Sequence, residues 1–173
     1  MTLGVMSDTH GNVALMHSVA DTMVERFGAG VIFHLGDDYA DAEQLVLAGH
    51  DVRLVPGLWC PEYHDGRIPK RLSEVFDGLA VACAHAEKDL RHTERRAAIV
   101  LTGHTHVAAI QTEGRSLYVN PGHLRSSTSR GEAPSYAIID IGPERVSATI
   151  RELNGHVRTA CSVERSHLSH GQT

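Results

Sequence analysis

A repeated unit constrains this chain more than any other feature: a short apolar run that ends in side chains able to bind metal. Leu3, Val5 and Met6 lead into Asp8-Thr9-His10, and Val31 to Leu35 lead into Gly36-Asp37-Asp38. Leu79 to Ala84 lead into His85, and Ile99, Val100 and Leu101 lead into Gly103-His104-Thr105-His106. Runs this short and apolar read as buried strands, and open α/β sheets place their binding crevices at the carboxyl ends of such strands. Taken singly, each cluster has an ordinary explanation, since Asp-x-His after a strand also serves helix capping and turn hydrogen bonding. Four strand ends that all offer ligands are not accounted for by packing. Carboxylates and imidazoles gathered in this way suit borderline-hard divalent ions such as Mn, Fe, Zn or Ni.

The first third alternates strand and helix, the pattern of a parallel βαβαβ unit and of the α/β class. Strands are predicted over Thr2 to Ser7, Val31 to Leu35 and Asp51 to Val55. Asn12 is expected to cap a helix whose apolar residues Val13, Met16, Ala20, Met23, Val24 and Phe27 recur at helical spacing, with Gly28 and Gly30 ending it. Asp41 is expected to cap a second helix that runs through Leu47. Pro56 to Pro69 reads as a long loop in which Trp59 is the aromatic anchor that packs it down. Three hairpins follow: Leu72 to Phe76 with Leu79 to Ala84 through Asp77-Gly78, Val107 to Thr112 with Ser116 to Val119, and Tyr136 to Ile141 with Val146 to Leu153. A short charged helix is expected over Lys88 to Arg96, and strand over Ile99 to Thr102. Residues 1–165 read as one domain and 166–173 as a polar C-terminal tail.

At 173 residues and 42% apolar content, the chain is long enough for one domain with a substantial core. Its formal charge of −5 supplies no general basic field, which argues against extended nucleic-acid binding. No membrane span and no secretory signal is read, so the expected location is the cytoplasm. Cys60, Cys83 and Cys161 are odd in number and widely spaced, which argues against a disulfide framework, and Cys83 reads as a small buried core residue.

The residue types also fit one chemistry. Two divalent ions about 3.5–4 Å apart can clamp a phosphoryl group and activate a bridging water or hydroxide. A carboxylate such as Asp37 has two oxygens and can bridge both ions, whereas neutral imidazoles limit the negative charge of the site and keep it attractive to an anionic phosphate.

In order and spacing, Asp8-x-His10, Gly36-Asp37, the loop beginning at Gly57, His85, Gly103-His104-Thr105-His106 and the later Asn120-Pro121-Gly122 resemble the calcineurin-like metallophosphoesterases, in particular their small single-domain bacterial and archaeal phosphodiesterase branch. The resemblance implies an α/β/β/α sandwich of two mixed sheets flanked by helices. It also implies a metal-dependent hydrolase of small phosphate esters, phosphodiesters above all, with two divalent ions such as manganese as cofactors. One ion would be held by Asp8, His10, Asp37 and His106, and the other by Asp37, His85 and His104. No membrane partner is implied, and a homo-oligomer is left open. The family also uses an asparagine ligand in the loop that here reads Gly57-Leu58-Trp59-Cys60-Pro61-Glu62-Tyr63. Leu58 stands in its place, so Cys60, Glu62, His64 or water would have to fill that position. The same departure motivates an alternative from another class, a metal-binding scaffold of the same fold without turnover.

Among the remaining residues, His123 is the candidate catalytic acid. Asp38 could hydrogen-bond a ligand imidazole, and Arg67, Lys70, Arg71, Arg125 and Arg130 are candidates to face a phosphate. His17 and His34 read as structural.

Overall fold

The computed structural model describes residues 1–168. In chain order its regular elements are β1 (Thr2–Met6), α1 (Val13–Phe27), β2 (Val31–His34), α2 (Tyr39–Leu47), β3 (Val52–Leu54), α3 (Pro61–His64), β4 (Arg71–Phe76), β5 (Leu79–Ala84), β6 (Ile99–Thr102), β7 (Ala109–Glu113), β8 (Ser116–Asn120), β9 (Ser135–Ile141), β10 (Arg145–Glu152) and β11 (Val157–Glu164). They form two mixed sheets, one ordered β11-β10-β9-β1-β2-β3 and the other β4-β5-β6-β8-β7. β1, β2 and β3 run parallel, as do β5, β6 and β8, so both sheets send strand ends to the same edge of the sandwich.

Side-chain alternation explains the layering. Leu3 and Val5 of β1, Val31 and Phe33 of β2, Val81 and Cys83 of β5 and Ile99 and Leu101 of β6 point between the sheets into the main core. Met6, Ile32 and Ile138 point the other way, onto Met16, Val19, Ala20 and Met23 of α1 and Leu45 of α2. The outer face of the second sheet is covered less: Ala82, Ala84 and Val100 meet Leu90 and Ala97 beside two short 3₁₀ turns, Glu87–Asp89 and Glu94–Arg96. No helix among the described residues is long and apolar enough to cross a membrane. As expected, Cys83 is fully buried, and burial pushes its thiol up to about 12.

Several local expectations are corrected. The charged helix over 88–96 is replaced by those two 3₁₀ turns, because only Leu90 and Ala97 have a surface to pack on and a longer helix would have no apolar stripe. Asn12 precedes α1 but makes no cap; its amide donates to the Leu124 carbonyl at 3.0 Å. Asp41 lies inside α2, buried, and Trp59 is 84% exposed, so it does not anchor its loop. β11 was not expected. Its Cys161 and Val163 face the core while Arg158 and Ser162 face out, a half-buried edge pattern too polar to read as a strand. The expected tail from 166 starts within a 3₁₀ turn, Arg165–His167, and Leu168 packs into the core; 169–173 lie outside the described residues.

Candidate metal centre

The loops that leave β1 and β2 in one sheet, and β5 and β6 in the other, converge on a single point. There the ligand atoms of Asp8, His10, Asp37 and His106 lie within 4.8 Å of one another, which is the one such group among the described residues. His106 Nε2 is 3.1 Å from Asp8 Oδ1 and 3.3 Å from His10 Nε2, and His10 Nε2 is 3.6 Å from Asp37 Oδ2. On the far side of Asp37, His85 Nε2 is 3.3 Å from Oδ1, and the His85 ring meets that of His104 edge-on at 5.0 Å between centroids. All six candidate ligands are therefore at one place. The group of four leaves out His85 and His104, and equally Cys60, Glu62 and His64.

The backbone bends sharply to gather them. Asp8, His10, His104 and His106 all have positive φ, between 48° and 66°. Such a conformation costs a residue with a Cβ about 1 kcal/mol or more, and it persists where surrounding contacts over-determine it. Those contacts are visible. Asp41 Oδ2 accepts hydrogen bonds from Thr9 Oγ1 at 2.8 Å and the Gly11 N–H at 2.9 Å, holding the turn that carries His10. Asp8 Oδ2 accepts from Ser7 Oγ at 2.5 Å and the His104 N–H at 3.0 Å, which ties the two loops together. Gly103 allows this approach, since a Cβ there would lie 2.0 Å from Ser7 Oγ.

The protonation pattern fits a cation. His85 Nδ1 lies 2.7 Å from the Leu35 carbonyl and so must donate to it, which turns Nε2 toward Asp37. Nε2 faces Asp37 Oδ1 at 3.3 Å, and neither atom has a hydrogen-bond partner although both are buried. A carboxylate oxygen and a ring nitrogen facing each other in this way need positive charge between them. Asp8 Oδ1 is likewise buried without a hydrogen bond, aimed at His106, whose Nδ1 is engaged by Ser129 Oγ at 2.7 Å. Unpartnered buried oxygens and nitrogens pointing at a common centre are what a divalent ion would satisfy.

Charge at the centre is tuned in both directions. Burial would raise the Asp8 carboxyl, but the His106 contact, the field of His85 and the Ser7 hydroxyl together hold it below its ordinary value. Burial lowers His10, against the pull of Asp37 and Asp8, and burial together with His85 lowers His104, so both rings favour the neutral form that binds metal. The positive charges of Arg125 and Arg130 act on His10 and His104 respectively, in the direction that keeps both rings neutral. Arg67 and Arg71 are instead paired with Asp65 and Glu94, and Lys70 lies over the Tyr63 ring.

Three expected roles change. His123 is buried, its Nδ1 accepts the Arg125 N–H at 3.2 Å, and its Nε2 donates to the Glu132 carbonyl at 3.1 Å. With both nitrogens committed, it cannot serve as a free acid; it clamps the loop that carries Arg125, Ser129 and Arg130. Asp38 is exposed at the start of α2, and the hydrogen bonds that orient ligand imidazoles come from Leu35 and Ser129. Cys60 is buried with its sulfur accepting the Tyr39 N–H, and burial raises its thiol, so it is not a ready thiolate ligand. Sequence reasoning did not single out Ser7, Asp41 as an anchor, or Ser129, because a lone hydroxyl or carboxylate carries no spacing signal.

Behind the centre, His34 is fully buried; its Nδ1 accepts the Gly36 N–H and its Nε2 lies 3.4 Å from Thr9 Oγ1. Burial lowers it to about 4, outweighing the opposing pull of Asp8 and Asp41. The unfolded chain therefore takes up the proton first as pH falls. Stability is full above about pH 6.5 and is lost on acidification toward pH 4, by roughly 3 kcal/mol for this group. Denaturant unfolding of chelator-treated protein across that range is expected to give a steeper pH slope for the native chain than for His34→Asn. Equal slopes would contradict it.

The model of the calcineurin-like phosphoesterase superfamily domain matches residues 1–144. No curated protein sequence matches the chain. Among solved structures, a conserved uncharacterized protein of Streptococcus pneumoniae, a predicted phosphoesterase, is similar at 24% identity and TM-score 0.71, covering 95% of this chain and 97% of its own. An archaeal phosphodiesterase is similar at 18% identity and TM-score 0.66, covering 95% and 99%. Vps29 of Chaetomium thermophilum is similar at 14% identity and TM-score 0.67, covering 95% and 96%. At these identities the likeness is one of fold.

Proposed function

This chain belongs to the calcineurin-like phosphoesterase superfamily, and from that premise we propose that it hydrolyses small phosphate esters, phosphodiesters in particular, at a two-ion centre built on Asp37. The observation that carries this reading is the face-to-face pair of buried atoms without hydrogen bonds, Asp37 Oδ1 and His85 Nε2, beside the four-residue group that shares Asp37. Asp37 directs its oxygens to both clusters, Oδ2 toward His10 and Oδ1 toward His85. Divalent ions held there would supply Lewis acidity toward phosphoryl oxygens and a nucleophile at neutral pH. The chain's own part is orientation: Leu35 and Ser129 fix the His85 and His106 rings, and Ser7 and the His104 N–H hold one Asp8 oxygen.

Metal counting by elemental analysis, paired with hydrolysis of bis(p-nitrophenyl) phosphate in manganese, tests the reading. Bound metal with turnover is expected; metal-loaded protein with no turnover on diester or monoester would sink the hydrolase. That second outcome would favour a catalytically silent scaffold, the alternative that Leu58 and the fold likeness to Vps29 support. The ligand that Leu58 cannot provide gives a gain-of-function test. Leu58→Asn is expected to tighten the ion on the His85–His104 side and raise the metal-to-protein ratio; an unchanged ratio would mean that this position is not at the metal.

A further inference from the structure

Trp59, the chain's one tryptophan, is 84% exposed. It sits on a built support. The Cys60 N–H donates to the Gly57 carbonyl at 3.1 Å, closing a tight turn with Leu58 and Trp59 at its two central positions. Both ends of the turn are pinned. Gly57 is pressed against Asp37 so closely that a Cβ would lie 1.7 Å from Oδ1, and Cys60 is buried with its sulfur bonded to the Tyr39 N–H at 3.3 Å. Leu58 alone separates Trp59 from the residue that touches Asp37, so chain length keeps the Trp59 Cα within roughly 8 Å of the Gly57 Cα.

Leaving a large aromatic side chain in water forgoes the burial that would stabilise it by about 2 kcal/mol or more, and an exposed aromatic on a rigid turn beside a reactive centre suits a ligand contact. A planar indole face presents a stacking surface that accepts any aromatic ring. Arg125 and Arg130 are both exposed, and their positive charge, felt at His10 and His104, favours an anionic ligand. We propose that Trp59 is a stacking platform for the planar aromatic group of a phosphate ester whose phosphate occupies the metal centre, which makes nucleotide-like esters the substrate class. This rests on the phosphoesterase reading of the site.

Because no other tryptophan is present, indole emission reports the platform directly. Adenosine 5′-monophosphate titrated into metal-loaded protein is expected to change that emission with a saturating curve, while ribose 5-phosphate, which has the phosphate but no base, is not. By calorimetry the nucleotide is expected to bind about tenfold tighter than ribose 5-phosphate, and Trp59→Ala is expected to bring the two affinities together. Trp59 is exposed, so the variant keeps the fold. Equal affinities in the native chain, or binding of neither ligand, would overturn the platform. If bis(p-nitrophenyl) phosphate is still hydrolysed in that case, the phosphoesterase reading stands without it. Base-dependent binding in a protein with no turnover would keep the platform and remove the hydrolase.

Discussion

Asp37→Ala is expected to lower kcat/KM for a phosphodiester by on the order of a thousandfold or more, and to leave the metal-free fold no less stable than the native one. The activity loss follows from position, since Oδ2 faces His10 and Oδ1 faces His85, so one substitution takes a donor from both clusters. The stability expectation follows from the same geometry. Asp37 is buried, and Oδ1 has no hydrogen bond to lose. Removing an unpartnered buried acceptor relieves a desolvation penalty of about 1–3 kcal/mol, offset in part by the small cavity left behind. Thermal unfolding in chelator, run beside steady-state kinetics in manganese, separates the two effects. A variant that is both inactive and several kcal/mol less stable would show Asp37 to be a structural residue, and the centre would lose its bridge.

Gly57→Ala is expected to weaken metal binding by about 10- to 100-fold although glycine contributes no donor. Here φ is not the constraint; space is. An added Cβ would lie 1.7 Å from Asp37 Oδ1 and 2.7 Å from the Asp37 Cα. Because part of the obstruction is backbone, the carboxylate and the loop must both shift, at a cost of about 1–3 kcal/mol in stability as well. Gly66→Ala, in the same loop with open space around it, is the control and is expected to be neutral or slightly stabilising. Equal metal affinity for Gly57→Ala and Gly66→Ala, measured by competition with a chelating dye, would place Gly57 away from the centre.

Much of the frame is legible in the amino-acid sequence. The parallel start, all three hairpins and the convergence of four strand ends follow from apolar runs and turn residues, local signals that the chain carries whatever its surroundings. The misreadings share one cause. Asn12, Asp41 and Trp59 have side chains whose local role is only one option, and each was redirected: Asn12 to Leu124, Asp41 to Thr9 and Gly11, Trp59 to solvent. The 88–96 segment is charged enough to look helical but has only Leu90 and Ala97 to bury. β11 is held by pairing with β10, and its own sequence is too polar to announce it.

By itself the sequence determined which residue types would meet and at which strand ends, because period-two alternation fixes the buried face and the polar residue after each run must emerge at the sheet edge. Only tertiary structure decided what those residues do on arrival. The tautomer of His85 depends on a carbonyl 50 residues away, the orientation of His106 on Ser129, and the commitment of both His123 nitrogens on a loop that closes back over them. Hydrogen-bond direction and burial are properties of the partners a group meets, and those partners are distant in the chain.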